Sequence, residues 1–192
     1  MMHILNKIIG KAYSRIGVLF KGFASRNVQI LKKAYLTYIR PVLEYASSVW
    51  SPYLLKHINA IERVQKYFTR CIPCISHLSY PERLAAIDLE PLELRRLKND
   101  LILYYKSYHD LVALPFNEYF VQSQNVTQTR TGGGRLLRPM CRTNRFENDF
   151  FNRCISCFNF LPSDAVNANS VYAFKRFLSS CDLSDFIHCS YL

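Results

Sequence analysis

Two Cys-x-x-Cys pairs, Cys71/Cys74 and Cys154/Cys157, have the residue type and spacing that can close a tetrahedral zinc site. About 80 residues separate the pairs, and neither is flanked by the glycine-bearing knuckle of a zinc ribbon. The second pair sits within the aromatic, helix-like stretch ENDFFNRCISCFNFL, where cysteine serves as a small core hydrophobe. A thioredoxin-like reading would require a βαβ setting that the sequence does not offer. The five histidines, His3, His57, His77, His109 and His188, are scattered with no i, i+3 or i, i+4 pairing. No Asp-Asp, Asp-x-Asp or Glu-x-Glu pair is present for two-metal chemistry, and no GxSxG elbow for acyl transfer. Gly132-Gly133-Gly134 lacks the Lys-Ser/Thr that would make it a phosphate loop. The expectation is a chain with no catalytic residues, no metal site and no cofactor.

The residues that do recur at a meaningful spacing are cationic. Lys7, Lys11 and Arg15 follow one another at i, i+4 and i+8, and Arg63, Lys66 and Arg70 at i, i+3 and i+7. Lys32 and Lys33 stand between the two rows. Residues 1–75 hold twelve Lys/Arg against two acids, residues 76–125 five against seven, and residues 126–192 eight against five. The net charge of +11 is therefore concentrated in the first third. Such a surface suits a polyanion, because each phosphate contact releases counterions. The eight cations named are the candidate nucleic-acid-binding residues; the alternative for each one singly is a solvated surface charge. Interleaved tyrosines add candidate stacking platforms for unpaired bases.

These rows must be carried by helices. Ile4, Ile8, Ala12, Ile16 and Leu19 recur at helical spacing, with Gly22 as a stop and Ser25 as the next N-cap. A second helix from about Arg26 places Val28, Leu31, Tyr35 and Ile39 inward and Lys32 and Lys33 outward. Pro41 should kink or restart it near Arg40. A third helix opening at Ser51-Pro52 carries Ile58, Ile61, Gln65, Phe68 and Ile72. PERLAAIDL reads as a short helix with proline in its first turn. The next helix, from about Pro91, bears a heptad-like seam of Leu94, Leu97, Leu101, Tyr104, Tyr108 and Leu111. Residues 122–145, QSQNVTQTRTGGGRLLRPMCRTNR, have no period and read as a long exposed connection. Beyond it lie ENDFFNRCISCFNFL as one short helix, an LPSD stop and cap, and NSVYAFKRFLSSC as a last helix.

With six glycines and eight prolines in 192 residues, the chain lacks the turn residues of a β-sandwich. The fold class expected is mainly α: an irregular helical bundle over residues 1–121, the basic connection 122–145, and a smaller C-terminal helical part over residues 146–192. Seven cysteines and no hydrophobic leader segment point to reduced thiols in an intracellular protein, nuclear or cytoplasmic. An acid-free amphipathic N-terminus is also the composition of a mitochondrial transit peptide. No apolar run approaches the ~18 residues of a membrane span, so no membrane is expected among its partners.

The stretch YIRPVLEYASSVW, Tyr38–Trp50, gathers three aromatics, an Arg-Pro pair and the only tryptophan, yet only one carboxylate. It reads as a structural motif of Arg40, Pro41, Glu44, Tyr45 and Trp50. Leu43, Tyr45, Val49 and Trp50 would form the packing joint between the second and third helices, and Arg40 would pair with Glu44 at i, i+4.

Taken in order, LKKAYLTYIRPVLEYASSVWSP, IERVQKYFTRCI and YPERLAAIDLEPLELRRLKNDLILYYK resemble the region after the catalytic palm in reverse transcriptases of LINE-type, jockey-like non-LTR retrotransposons. Downstream, RTNRFENDFFNRCISCFNFLP and SVYAFKRFL resemble the tail of the same polyproteins, so the resemblance spans roughly residues 4–178. It implies a helical thumb and C-terminal extension that grip a template–primer, RNA or an RNA/DNA hybrid, while a palm polymerises. The palm's aromatic-Ala-Asp-Asp motif, its upstream metal-binding aspartate and the endonuclease domain are all absent from the sequence. The resemblance therefore implies a catalytically incomplete fragment of an RNA-directed DNA polymerase, not an enzyme, that keeps at most nonspecific nucleic-acid binding. The alternatives are a thumb subunit acting with a separately encoded palm, or a helical interaction protein without nucleic acid. A thumb normally packs on a palm, so apolar surface on the first two helices is expected to be exposed and open to a palm or to self-association.

Overall fold

In the computed structural model, which describes residues 2–114 and 136–188, the protein is mainly α-helical, with no β-strand among the described residues. Packing divides the chain into two compact units, residues 1–96 with 187–192, and residues 97–186. The division falls inside a helix at Arg96–Leu97, and the expected boundary at residue 121 lies outside the described residues. Most of the expected connection 122–145 lies outside the described residues.

The first unit opens with α1 (Met2–Gly22), which buries Leu5, Ala12, Ile16 and Leu19 in a single line along the helix. Gly22 ends it as expected, but the next cap is Asn27, whose Oδ1 accepts from the amides of Gln29 (2.9 Å) and Ile30 (3.3 Å). Ser25 instead accepts from the Asn27 amide, at 3.3 Å. Asn caps α2 (Val28–Ala34) well because its short amide reaches the orphan donors of the first turn.

Pro41 does not break the chain's course. A π-helical turn, Tyr35–Ile39, runs directly into α3 (Arg40–Glu44). Proline cannot donate to the carbonyl four residues back and its ring crowds that carbonyl. The wider turn relieves both conflicts and keeps Leu31, Tyr35, Ile39 and Leu43 fully buried on one continuous face. Ala46, in the left-handed region at φ 52°, then turns the chain into the single turn α4 (Ser47–Trp50).

Helix α5 (Leu55–Arg70) lies against α1 and is buried over an unusually wide arc: Ile58, Ile61, Glu62, Val64, Gln65, Phe68 and Thr69. Three of these seven are polar, and two of them, Glu62 and Gln65, are knitted together through Tyr80. The Tyr35 hydroxyl donates to Gln65 Oε1 at 2.6 Å. Gln65 Nε2 donates to the Tyr80 hydroxyl at 3.2 Å and to the Glu90 carbonyl at 3.0 Å. Tyr80 donates to Glu62, whose other oxygen accepts the Leu92 amide at 3.0 Å. Buried polar groups are tolerated when partnered in this way. Phe68 fills the centre, its ring 4.5 Å from that of Tyr35 and stacked on it. Helix α6 (Tyr80–Ala86) begins with a capping box formed by Ser79 and Glu82.

Helix α7 (Leu92–Tyr108) starts in the first unit and continues into the second. Leu101 and Tyr104 of its expected seam are fully buried, whereas Leu111 lies past the helix end and is 57 % exposed. The expected single helix over ENDFFNRCISCFNFL is two short pieces, α9 (Phe150–Arg153) and α10 (Ile155–Phe160), preceded by α8 (Asn144–Glu147), which ends on the first residue of the stretch. Thr143 and Asp149 each cap the amide three residues on, at 3.2 and 3.0 Å, and these side-chain bonds compete with a continuous helix. Helices α11 (Ser163–Val166) and α12 (Val171–Ser180) complete the second unit. Its core holds Tyr105 stacked on Phe174 at 4.4 Å, and Tyr104 packed against Phe150 and Phe158. Arg153 binds Asp100 through Nε (3.0 Å) and Nη2 (2.8 Å). Cys154 and Cys157 are buried there, and burial pushes both thiols up, Cys157 to about 12.

Candidate nucleic-acid interface

The cations selected by spacing do not form one surface. On α1, the buried line of Leu5, Ala12, Ile16 and Leu19 separates two flanks. Lys7, Lys11 and Arg15 lie on the flank toward α3. Tyr13 lies on the other, where its ring meets Tyr67 of α5 edge-on, with centroids 5.5 Å apart. Two separate basic features result, one on each side of α1.

The first is a groove. Ile4, Lys7, Ile8, Lys11 and Arg15 of α1 form one wall; Pro41, Val42, Tyr45, Ala46 and Trp50 form the other, enclosing about 690 Å³. Tyr45 and Val49 are not the buried joint expected of them, being 82 % and 84 % exposed. The left-handed turn at Ala46 swings both side chains outward, and the core takes Leu43 and Trp50 alone. The Trp50 indole N–H donates to the Tyr45 carbonyl at 2.8 Å. Arg15 is tied down as well, donating to the Tyr38 carbonyl at 2.5 Å with its guanidinium 4.6 Å above the Tyr38 ring.

The expected Arg40–Glu44 ion pair is present, and Glu44 shares it with a second guanidinium. Arg40 Nε stands 3.7 Å from Glu44, beyond hydrogen-bond reach, while Arg95 grips both carboxylate oxygens, one of them at 3.2 Å from Nη2. A guanidinium that presents its fork to a carboxylate makes the stronger, hydrogen-bonded contact, and the one approaching along the same helix adds only its charge. The partner is 51 residues away, and no local spacing announces it.

The second feature is the outer face of α5. Arg63, Tyr67 and Arg70 are exposed there, and so is Lys56, which the row-by-row reading missed. Lys56, Arg63 and Arg70 stand at i, i+7 and i+14, a spacing that the sequence displays openly. At 1.5 Å per residue they lie about 10.5 Å apart along the helix. That is about three phosphate rises of one strand of a B-like duplex, at 3.4 Å each. None of the three has an ion-pair partner among the described residues. Cys71 stands beside the Tyr67 hydroxyl and raises its pKa, so the phenol stays protonated.

The remaining candidates are dispersed. Lys66 lies half-buried with its ammonium 5.0 Å from the Tyr80 ring centroid. Lys32 pairs with Asp88 at 3.3 Å, and Lys33 points to solvent from α2. No group of histidine, cysteine and carboxylate side chains among the described residues could hold a metal ion. No helix among them is long and apolar enough to cross a membrane.

The chain is 26 % identical over 109 residues to an uncharacterized protein of Caenorhabditis elegans. The match covers 55 % of this chain and 53 % of that relative, so it spans about half the relative's length. No protein-family profile matches the chain. No solved structure matches it either.

Proposed function

We propose that the protein is a thumb-like, catalytically incomplete relative of LINE-type reverse transcriptases, and that it binds nucleic acid without sequence preference through the outer face of α5. The observation that carries the reading is the row Lys56, Arg63 and Arg70, spaced for phosphates and bordered by the exposed Tyr67–Tyr13 pair. The cations supply affinity and the rings offer a face on which an unpaired base can stack. Nothing in this arrangement reads base edges, so the binding is nonspecific. The lack of paired aspartates in the sequence supports the further proposal that the chain adds no nucleotides itself.

Fluorescence anisotropy with a short RNA/DNA hybrid tests the binding. The expected log–log salt slope is about −3, from three phosphate contacts at about 0.9 each. Arg63→Glu with Arg70→Glu should reduce affinity at least tenfold and flatten the slope. No binding at low salt, or binding that salt does not weaken, would refute the reading. Primer extension with Mg²⁺ and deoxynucleotides is expected to yield no product.

A further inference from the structure

The groove between α1 and the Pro41–Trp50 segment calls for a different ligand. Its lining is apolar apart from Lys7, Lys11 and Arg15, and includes no carboxylate. Ile4 remains 52 % exposed on one wall and Tyr45 82 % exposed on the other. Its size falls within the range of roughly 300–1,000 Å³ typical of binding pockets. Two of the polar groups beside the apolar floor are already used: Trp50 Nε1 by the Tyr45 carbonyl, and Arg15 by Tyr38. A nucleic acid, charged outside and polar at its base edges, would leave the apolar floor unmatched.

From the geometry we infer that this groove is a docking site for an amphipathic helix of another protein, with an apolar stripe edged by carboxylates. Lys7, Lys11 and Arg15 rise along α1 in steps of about 6 Å. A helix laid alongside with Glu or Asp at i, i+4 and i+8 presents its charges at the same interval while its apolar stripe enters the groove. Lys7 and Lys11 are exposed with no ion-pair partner among the described residues, so both ammonium groups are available. A second copy of this chain fits poorly. Residues 1–96 carry fifteen Lys/Arg against six Asp/Glu, and a two-fold contact would set this cationic rim against itself. The site lies on the opposite flank of α1 from the α5 row, so it stands or falls independently of nucleic-acid binding.

The probe is a synthetic 18-residue helical peptide with leucines at i, i+3, i+4 and i+7 and glutamates beside them at i+1, i+5 and i+9. Two controls accompany it: the same peptide with lysine in place of glutamate, and a scramble of equal composition. The glutamate peptide should bind the intact protein, and the controls at least tenfold more weakly. Lys7→Glu with Lys11→Glu should cost at least tenfold, as should Tyr45→Ser, a change at an exposed side chain that leaves the core intact. Arg63→Glu with Arg70→Glu should have no effect. Equal binding of the lysine peptide or the scramble overturns the inference, as does indifference to the Lys7/Lys11 and Tyr45 changes. So does displacement of the peptide by an oligouridylate in the Arg63/Arg70 variant, which would make the groove a nucleic-acid site. A concentration-dependent dimer abolished by Tyr45→Ser would assign the groove to a second copy instead.

Discussion

Glu62 concentrates the chemistry of the first unit's interior. Its carboxylate is fully buried, receives the Tyr80 hydroxyl, and accepts the Leu92 amide at the first turn of α7, with the positive charges of Arg96 and Lys66 nearby. A carboxylate there satisfies an orphan donor and complements the helix dipole. Burial nevertheless dominates and raises its pKa. A carboxyl raised in the folded state contributes stability that is fully present below its unfolded pKa of about 4.3 and is lost as pH rises through the folded value. Wild type should therefore lose stability over that window, and Glu62→Gln should not. Urea midpoints measured from pH 4 to pH 8 should show the difference between the two proteins moving in favour of the variant, by about 1.4 kcal/mol for each tenfold gain in the carboxyl's proton affinity on folding. Parallel curves would show that Glu62 is not the group responsible. Gln65 was legible as inward-facing from helical spacing, but the reason for a glutamine there was not. Its partners, Tyr35, Tyr80 and the Glu90 carbonyl, come from separate elements.

The Pro41–Trp50 segment shows how an element departs from its propensities to shape a surface. The π-turn before Pro41 keeps the buried face continuous, and the left-handed Ala46 turns the next residues out to make a groove wall. Left-handed alanine costs about 1–2 kcal/mol, which glycine would avoid. Ala46→Gly should accordingly raise stability by about 1 kcal/mol in chemical denaturation, and Ala46→Val should lower it. If glycine destabilises, the left-handed geometry at this turn is wrong. Proline at position 41 was readable as an interruption; its resolution as a π-turn was not, because burial of Ile39 and Leu43 on either side decides whether the helix stops or widens. The C-terminal pieces teach the converse. Aromatic spacing alone suggested one helix over residues 147–161, where the caps at Thr143 and Asp149 make short pieces instead.

For the whole molecule, charge is the dominant fact. A net charge of +11, gathered mostly in the first unit, sets like charges against one another on α1, α2 and α5. Self-repulsion of this kind weakens the folded state and is relieved by screening. Raising salt from about 0.02 to about 0.3 M should increase the melting temperature by about 2–4 °C, corresponding to about 1 kcal/mol in a chain of this length. A melting temperature that falls with salt would mean that ion pairs such as Arg95–Glu44 and Arg153–Asp100 outweigh the repulsion.

Helical class, the inward faces of α2 and α5, and the concentration of positive charge were determined by the sequence alone, because periodicity and composition are properties of neighbours along the chain. On α1 the structure buries Leu5 and leaves Ile4, expected inward, 52 % exposed. Which cations share a face was decided only by tertiary packing. α1 buries a narrow line and exposes two flanks, so Lys7, Lys11 and Arg15 look across a groove while Lys56, Arg63 and Arg70 look away from it. Glu44 likewise keeps its helical neighbour Arg40 as an ion-pair partner but takes its hydrogen bonds from the distant Arg95. Side-chain pairing is settled by the geometry that folding brings together, and spacing along the sequence can only propose it.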